Sequence, residues 1–520
     1  MKEDTEHPEI LTLSEAAGII RVSEKTLGEM ARTRRVPSQK VGREWRFLRS
    51  AIEAWLAGEA GPAADGQVSA LAGTRPTVAE PQAQYELQLS GFRDTAFSEN
   101  HDRTLHRWVP WIAGFSSSFV AGVLDDSRLG RRRLRVLDPF AGVGTTLVEA
   151  LKHGDDAIGF EINPWAALAC KTKTGAAHYD VEILETLLDR FEEFAEEKLW
   201  MDGGTESLPP AGFRSRVPFF SPAVERQALA CQDFIAEETA GWLKDLFQVA
   251  FGAVMVGFSN YSYEPSLGTR AAAGKAEIDN ADVFSIVKRK LREMCEDIAT
   301  FQRWMSRFKR LPRATVHPSS YFDDASRIEP HSIDVLVTSP PYLNNYHYIR
   351  NTRPHMFWLG MVEGSNDLKE IEHKSFGQFW QTVRTGPEIP LRPPLPHLAA
   401  QLKDLRERNA EKGAYGGPGW ANYAATYFND CQRFCALTLS RMRSGGKVVV
   451  VIGNNILQGI EFRTDSLFAE IAETEGFEIV DLHEVRSKRT GNSIVNSSVR
   501  IGTVKQRTRL YETAVELRAP

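Results

Sequence analysis

One stretch of the chain limits its possible folds more than any other. Residues 135–150 read RVLDPFAGVGTTLVEA: an apolar run that ends in Asp138, a turn with glycines at 142 and 144, and a helix-forming segment. Glycine in such a turn lets the backbone approach a ligand closely, and the following helix offers free N–H groups. A strand, a tight turn and a helix in this order are typical of a parallel sheet. The chain is therefore predicted to belong to the α/β class.

Short β-branched runs alternate with amphipathic helical stretches over most of the remaining sequence. Strands are predicted at 133–138, 157–163, 333–339, 447–454, 477–485 and 498–506. The interval 181–315 breaks the alternation, because it reads as mostly helix. We therefore predict a sheet domain at 89–510 that contains a helical insertion at about 181–315.

Residues 1–58 form a separate block that is rich in helix signals. Ser14 and Ser23 are expected to cap two short helices joined by a short connection, and residues 40–47 to form a hairpin-like wing. The Ala-, Gly- and Pro-rich stretch at 59–88 is predicted to be a linker. The block resembles the excisionase/MerR-type winged helix-turn-helix, which implies DNA binding through the second helix and the wing.

The same block carries nine Lys and Arg against three Asp and Glu between residues 21 and 49. Such an excess could place arginines of the second helix and the wing against DNA phosphates. The candidate DNA-binding residues are Arg32, Arg34, Arg35, Arg43 and Arg46. A solvated basic face on a small packing module is the alternative.

An acidic residue follows the second predicted strand of the sheet domain. Glu161 lies 19 positions after Gly142, and a carboxylate about 20 residues beyond the glycine turn suits hydrogen bonds to ribose hydroxyls. The turn is not a G-x-G-x-x-G string, and no P-loop lysine follows it. The pattern favours a nucleoside-type cofactor without a pyrophosphate over NAD or ATP.

A second sequence string places candidate substrate-binding groups at the end of another buried strand. Residues 332–342 read SIDVLVTSPPY, and in an open α/β sheet the carboxyl ends of the strands are where ligands bind. Consecutive prolines fix the backbone and remove two N–H donors, so nearby carbonyls can face a substrate. A Ser hydroxyl, a Pro carbonyl and an aromatic ring together suit a planar amine such as a nucleobase.

The pair DPFAGVGTT and TSPPY resembles the S-adenosylmethionine-dependent DNA amino-methyltransferases, over roughly residues 90–510. The resemblance implies a Rossmann-like methyltransferase sheet, S-adenosyl-L-methionine as the cofactor, and methyl transfer to the exocyclic amine of a base flipped out of duplex DNA. The segment from His106 to Trp111, with Gly114 and Phe115, resembles the part that closes over the methionine end.

The resemblance also implies the residues that carry these roles, and no metal. The catalytic residues are Ser339, Pro340, Pro341 and Tyr342. The cofactor-binding residues are Asp138, Phe140, Ala141, Gly142, Gly144, Thr145, Glu161, Asn163 and Asp324. Asp324 is expected to meet the adenine amine, although Asp323 is an alternative for this position.

The target base is predicted from position 339 and from the cysteines. Serine at 339 favours the N4 amine of cytosine, since adenine-N6 members more often carry Asp or Asn there, and adenine stays open. None of the five cysteines follows a proline, which argues against methylation of a cytosine ring carbon. Target recognition is left to the helical insertion, to residues 362–420, or to both.

The predicted function is site-specific methylation of cytosine N4 in double-stranded DNA, in a restriction-modification or phage-defence setting with a cognate subunit as a further partner. Adenine-N6 methylation of DNA, amine methylation of RNA, and a DNA-binding regulator that senses the cofactor are the alternatives. No apolar run reaches the roughly 18–20 residues that span a bilayer, and scattered cysteines suit a reducing compartment. A cytoplasmic location without a membrane partner is expected.

Overall fold

A computed structural model of the protein describes residues 10–20, 22–32, 36–41, 44–49, 52, 97–111, 114, 116–128, 130, 133–200, 204–263, 266–343, 347–488 and 510–520. The predicted linker at 59–88 and the predicted strand at 498–506 lie outside these residues. The chain divides into two compact units, Met1–Leu87 and Gln88–Pro520, which are described separately.

The first unit is a small helical and stranded module. It contains β1 (Ile10–Leu11), α1 (Leu13–Ile20), α2 (Glu24–Arg32), β2 (Gln39–Val41) and β3 (Glu44–Leu48), and its sheet has the order β1-β3-β2. The antiparallel pair β2 and β3 confirms the predicted hairpin wing. Leu27 and Phe47 are among the apolar side chains buried between the helices and this sheet.

The caps of the two helices agree with the sequence prediction at one position and differ at the other. The Thr26 amide donates to Ser23 Oγ at 3.1 Å, which confirms Ser23 as a cap. The prediction for Ser14 is wrong, because Thr12 caps α1 instead. The Glu15 amide donates to Thr12 Oγ1 at 3.4 Å and the Thr12 amide donates to Glu15 Oε2 at 2.8 Å. This reciprocal pair is a capping box.

The second unit is a mixed α/β structure built on a large, mostly parallel sheet. Its strands are β4 (Arg135–Asp138), β5 (Asp156–Phe160), β6 (Tyr261–Tyr263), β7 (Leu267–Thr269), β8 (Ala314–His317), β9 (Ile333–Thr338), β10 (Met442–Gly453), β11 (Asn455–Leu457), β12 (Ile460–Phe462), β13 (Glu478–Lys488) and β14 (Leu510–Arg518). The main sheet has the order β13-β14-β10-β9-β4-β5-β8, and only β14 runs antiparallel to its neighbours.

Helices cover the sheet and fill the intervals between its strands. They are α3 (Ser117–Ser127), α4 (Thr145–Lys152), α5 (Pro164–Gly175), α6 (Val181–Trp200), α7 (Pro222–Glu237), α8 (Gly241–Met255), α9 (Val283–Met305), α10 (Tyr321–Asp324), α11 (Tyr348–Trp358), α12 (Ser365–His373), α13 (Trp380–Val383), α14 (Pro396–Glu407), α15 (Gly417–Leu439) and α16 (Thr464–Thr474). No helix of the described residues is long and apolar enough to cross a membrane.

The order of the strands creates a switch point in the middle of the sheet. The chain moves outward from β4 through β5 to β8, and then returns to place β9 on the other side of β4. The parallel register pairs Val136 with Val335 and Leu137 with Leu336. At such a point the connections after the neighbouring strands diverge, which leaves a crevice at their carboxyl ends.

A buried carboxylate fixes three neighbouring strands at the opposite end of the sheet. Asp334 of β9 accepts hydrogen bonds from the Arg135 amide of β4 at 2.8 Å and from Arg443 Nη1 of β10 at 2.9 Å. These bonds compensate a register shift between β9 and β10 after Met442. The central strands are thereby held in one alignment at both ends.

The sheet differs from the sequence prediction at its two margins. The predicted helical insertion ends earlier than residue 315, because Ala314–His317 forms the edge strand β8 on β5. The sheet also extends beyond residue 510, because β14 pairs with β10 on one side and with β13 on the other. The sequence of β14, LYETAVELR, has residues of good helix propensity, and its two strand neighbours override that local preference.

The helical insertion packs around its own aromatic core. Phe191 of α6 contacts Phe234, Phe247 and Phe284 with ring centroids 4.8–5.7 Å apart. The surface of α6 carries a cluster of acidic side chains, namely Glu182, Glu185, Asp189 and Glu193, around Arg190. The insertion is therefore a folded block with an acidic outer face.

The insertion also holds the segment that precedes the sheet. Asp297 of α9 is buried, and its Oδ2 accepts from the Leu105 amide at 2.9 Å and from Trp108 Nε1 at 3.0 Å. Arg107 Nη2 donates to the other oxygen at 2.8 Å. One carboxylate thus fixes residues 105–108 to the insertion.

We expect Asp297→Asn to lower the free energy of unfolding by about 2 kcal/mol or more. The variant side chain carries no charge, and its NH2 group would face buried N–H donors in place of an acceptor oxygen. Urea denaturation measures this. Glu193→Gln, on the exposed face of α6, is the control and should change stability by less than about 0.5 kcal/mol. Equal values for the two variants would contradict the role of Asp297.

Candidate active site

A cleft opens at the carboxyl ends of β4 and β9, and its volume, counting the open mouth, is about 1210 Å³. Ten of the thirteen residues predicted for catalysis or cofactor binding line it. They are Asp138, Phe140, Ala141, Gly142, Thr145, Glu161, Asn163, Ser339, Pro341 and Tyr342. The other three, Gly144, Pro340 and Asp324, lie outside the lining. The two strings of the sequence therefore meet in one cavity.

The two glycines of the turn after β4 have different roles. Both have positive φ, +51° at Gly142 and +88° at Gly144. A Cβ at Gly142 would lie 3.2 Å from Trp111 Nε1, so this glycine leaves room inside the cleft. A Cβ at Gly144 would lie 2.8 Å from Cys170 Sγ, so that glycine serves the packing of α4 against α5.

Asp138 ends β4 and is buried beneath the cleft. Thr338 Oγ1, at the end of β9, donates to Asp138 Oδ1 at 2.6 Å, and the Phe140 amide donates to the same oxygen at 3.1 Å. Burial raises the pKa of Asp138 to about 6, although these hydrogen bonds favour the ionised form. The raised pKa indicates that the surroundings of Asp138 contain too little positive charge to stabilise its ionised form fully.

Glu161 follows β5 and faces the same cavity. Its Oε2 accepts from the Gly142 amide at 2.8 Å and its Oε1 from the Asn163 amide at 2.7 Å. Burial, with a smaller contribution from Asp138, raises the pKa of Glu161 to about 7. Within the described part of the chain neither carboxylate forms an ion pair with Lys or Arg. Such a pair suits a ligand that brings a cation and hydroxyl donors.

Asn163 supports the wall of the cleft through its side chain. Its Oδ1 accepts from the Trp165 and Ala166 amides at 3.1 and 3.3 Å, which caps α5, and Pro164 occupies the first turn. Its Nδ2 donates to Thr352 Oγ1 of α11 at 2.7 Å. The amide thus joins two helices on either side of Glu161.

The Ser-Pro-Pro-Tyr turn continues from β9 into the cleft. The Ser339 hydroxyl hydrogen-bonds to the Tyr342 phenol, and burial raises the pKa of that phenol well above its usual range. The Tyr342 ring lies against Gly453 of β10, where a Cβ would be 3.3 Å from Cε2. The ring is neutral and has a fixed orientation, and the serine keeps lone pairs for another donor.

Asp324 lies outside the lining of the cleft, and its predicted contact with the adenine amine stays a prediction. Its Oδ2 pairs with Arg327 Nε at 3.0 Å, and Asp323 also lies outside the lining of the cleft. The cleft wall at α10 is instead formed by Ser320, Tyr321 and Phe322. The α10 turn directs the carboxylate toward Arg327, because this lies three residues further along the chain.

A loop at 374–379 forms a wall that the sequence did not indicate. The Phe376 ring contacts both Phe140 and Phe322, with centroids 5.2 and 5.8 Å apart, and Gln378 and Phe379 line the cleft beside it. Gly377 has φ +69°, and a Cβ there would be 2.7 Å from the Tyr427 ring. Residues 376–379 read FGQF, and a glycine beside aromatic residues does not by itself predict a loop that lines a cleft.

The opposite wall is formed by Trp111 and Tyr348, whose rings stack with centroids 5.9 Å apart. Gly114 also lines the cleft, and Phe115 lies outside the described residues. The predicted closing segment therefore contributes Trp111 and Gly114 to the cavity, whereas residues 106–110 lie outside its lining.

The predicted DNA-binding arginines lie in the first unit. Arg46 is half-buried in β3, and its Nη1 donates to the Trp45 carbonyl at 3.1 Å. Arg32 is the last residue of α2. Arg34, Arg35 and Arg43 lie outside the described residues.

Comparison with known proteins links both units to established groups. The helix-turn-helix domain family matches residues 10–60. The type II methyltransferase M.BsoBI of Geobacillus stearothermophilus is 23% identical over 447 residues, which cover 76% of this chain and 83% of that protein. The type II methyltransferase M.MvaI of Kocuria varians is 26% identical over 47% of this chain and 55% of that protein. The chain thus contains a helix-turn-helix domain and has type II methyltransferases among its homologues.

Among solved structures, the rRNA methyltransferase aviRa from Streptomyces viridochromogenes aligns with 79% of this chain and 88% of its own chain. The identity is 8% and the TM-score is 0.26, too low to support an argument.

The contact between Thr338 and Asp138 gives a prediction that needs no ligand. We expect Thr338→Val to lower the free energy of unfolding by about 1–3 kcal/mol at pH 8, because a buried ionised carboxylate loses a donor. The loss should shrink at pH 5, below the folded pKa of about 6, where the carboxyl is protonated. Urea denaturation at both pH values tests this, with Thr338→Ser as the control that keeps the hydroxyl.

Proposed function

We propose that the protein is a DNA methyltransferase that transfers a methyl group from S-adenosyl-L-methionine to the N4 amine of cytosine in double-stranded DNA. The observation that carries the proposal is the meeting of Asp138 and Glu161 with the Ser339–Tyr342 turn in one cleft. A buried anionic pair for a cationic nucleoside cofactor lies there beside groups that suit a planar amine. The similarity to type II methyltransferases supports the same function.

The residues of the cleft fit the proposed cofactor. S-Adenosyl-L-methionine supplies, when bound, a methyl group on a positively charged sulfur. Asp138 would face the cationic methionine end, and Glu161 has lone pairs left for ribose hydroxyls. Phe140, Phe322 and Phe376 form an aromatic slot that suits a purine ring. Gly142 would keep the backbone close to the ligand, and a Cβ at this position would also lie 3.2 Å from Trp111 Nε1.

The Ser-Pro-Pro-Tyr turn would activate the amine of the base. The lone pair of an exocyclic amine is delocalised into its ring, so the amine is a poor nucleophile. The Ser339 hydroxyl lies within hydrogen-bonding reach of the Tyr342 phenol, and its oxygen keeps a lone pair that can accept a hydrogen bond from the amine. The Pro340 carbonyl is the second proposed acceptor, and two such bonds orient the nitrogen toward the methyl group. The amine proton that is lost passes to water.

Tyr342 would hold the flipped base. Removing a base from the duplex costs a few kcal/mol, and stacking on an aromatic ring returns about 1–3 kcal/mol. The ring is suited to this because it lines the cleft and lies against Gly453. Serine at 339 favours cytosine over adenine, because adenine-N6 members of the resembled group more often carry Asp or Asn there, and the product analysis below decides between them.

The two units would act on the same partner. The helix-turn-helix domain at 10–60 supports binding to double-stranded DNA, with Arg32, Arg34, Arg35, Arg43 and Arg46 as the proposed phosphate contacts. The type II class of the relatives supports a restriction-modification or related defence role, with a cognate subunit as a proposed partner.

The direct test is incubation of the protein with methyl-labelled S-adenosyl-L-methionine and mixed-sequence DNA, followed by mass spectrometry of the nucleosides. We expect N4-methylcytosine as the labelled product. N6-Methyladenine as the sole product would contradict the cytosine assignment. Cofactor binding without any transfer would instead favour a DNA-binding regulator.

The control for this experiment is the double variant Ser339→Ala and Tyr342→Ala. It should abolish transfer and leave the dissociation constant for the cofactor nearly unchanged, since neither side chain belongs to the carboxylate pair. A large loss of cofactor affinity would contradict this division of roles.

The raised pKa values of the carboxylates predict that cofactor binding depends on pH. Protonation of Glu161 below its pKa of about 7, and of Asp138 below about 6, removes the negative charge that the cationic cofactor needs. The dissociation constant, measured by calorimetry, should be about tenfold higher at pH 6 than at pH 7.5. Glu161→Gln should bind more weakly and lose this pH dependence between 6 and 7.5. The same slope in the variant would contradict the assignment to Glu161.

A further inference from the structure

An arginine beside the cleft packs against two aromatic rings. The Arg384 guanidinium lies 4.3 Å from the ring centroid of Trp380 and 4.3 Å from that of Tyr415. Trp380 begins α13 and follows Phe379, a residue that lines the cleft. The two ring centroids are 5.7 Å apart with 69° between the ring planes, so the rings cover adjoining sides of the guanidinium and leave its other sides for another group.

The donors of this guanidinium are not used within the described part of the chain. Its Nε is buried without a hydrogen-bond partner, and no carboxylate of the described residues forms an ion pair with it. The nearby Glu388 pairs with Arg406 at 3.5 Å. A positioned arginine without an acceptor is unusual, because ordering its side chain costs conformational entropy.

The backbone around Arg384 is fixed to a buried helix. Asn422 of α15 is buried, and its Nδ2 lies within hydrogen-bonding distance of the carbonyls of Val383, Gly386 and Pro387, at 3.4, 3.3 and 2.9 Å. Gly419 allows the close approach, since a Cβ there would be 2.1 Å from the Ala414 carbonyl oxygen and 3.0 Å from Arg384 Cβ. The arginine is therefore in place before any partner binds.

A series of ring contacts connects Arg384 to the cleft. Trp380 stacks on Trp420 with centroids 5.1 Å apart, Trp420 contacts Tyr423 at 6.1 Å, and Tyr423 lines the cavity. At the outer end of the series Tyr415 is 59% exposed. The exposed tyrosine beside the arginine forms a surface that a large partner can reach.

The helical insertion does not offer an equivalent surface on α6. Its outer face there carries the acidic cluster around Arg190, which would repel the phosphate backbone of DNA. Charge complementarity thus favours the Arg384 side of the cleft over the α6 face.

We propose that Arg384, packed against Trp380 and Tyr415, is a target-recognition contact of this enzyme. Its guanidinium edge binds a pair of acceptor atoms on the DNA next to the base that enters the cleft: O6 and N7 of a guanine, or two oxygens of one phosphate. This assigns target recognition to residues 374–420 rather than to the helical insertion. It rests on the proposed function, because it names the part of the protein that reads the DNA for that reaction.

The test compares full-length wild-type protein with Arg384→Ala, Arg384→Lys and Tyr415→Leu. The control is Arg226→Ala, which removes an exposed arginine from α7 of the insertion. Thermal melting and cofactor affinity show that each variant is folded. The modified sites are located in mixed DNA by sequencing, and the KM for a duplex that contains the site is measured at several salt concentrations.

Arg384→Ala should raise the KM for DNA about 5- to 100-fold with cofactor affinity unchanged, which is the range for one lost bidentate contact. Arg384→Lys should recover little, since lysine lacks the planar fork, and Tyr415→Leu should show a smaller loss. Relaxed preference at one base pair identifies guanine as the ligand. An equal loss on all sequences with a salt slope reduced by about one identifies a phosphate.

Two outcomes separate this inference from the proposed function. If wild type transfers no methyl group, the proposed function fails, and the comparison is made by duplex binding, where Arg384→Ala should still bind more weakly than Arg226→Ala. If wild type methylates DNA and Arg384→Ala matches Arg226→Ala in KM, salt slope and site preference, the role of Arg384 is overturned.

Discussion

The hydrogen bond from Thr338 to Asp138 is the contact on which the rest of the site depends. It joins residues 200 positions apart, at 2.6 Å, where two neighbouring parallel strands end. It forms because β9 returns to pair with β4 after the chain has built β5, the helical insertion and β8. The same pairing brings the glycine turn and the Ser-Pro-Pro-Tyr turn to opposite sides of one cleft. Without it, the cofactor half and the substrate half of the proposed site would be separate loops.

The buried carboxylates of the site are unfavourable for the stability of the fold. Two buried carboxylates share one wall, and burial raises the pKa of each although backbone amides donate to both. The stability of the sheet, with Asp334 tying three strands together at its other end, maintains this arrangement. A cationic nucleoside would supply the positive charge that the two carboxylates lack. This links the electrostatics of the cleft to the proposed reaction.

The two large additions to the sheet have different characters. The helical insertion has its own aromatic core and an acidic outer face, and through Asp297 it supports the segment that precedes Trp111. Residues 374–420 instead complete the cleft through Phe376 and Phe379 and hold Arg384 against the ring of Trp380. One addition thus serves the scaffold, and the other offers contacts to a DNA partner, as proposed above.

The sequence by itself determined the α/β class, the central strands, and the two strings that meet in the cleft, because each is encoded by neighbouring residues. It did not determine β8 and β14, since their strand form comes from pairing with β5, β10 and β13 rather than from local preference. Nor did it indicate the 374–379 loop, the ion pair of Asp324 with Arg327, or the rings around Arg384. Most of these features depend on residues far apart in the chain, and only the tertiary structure decides which of them meet.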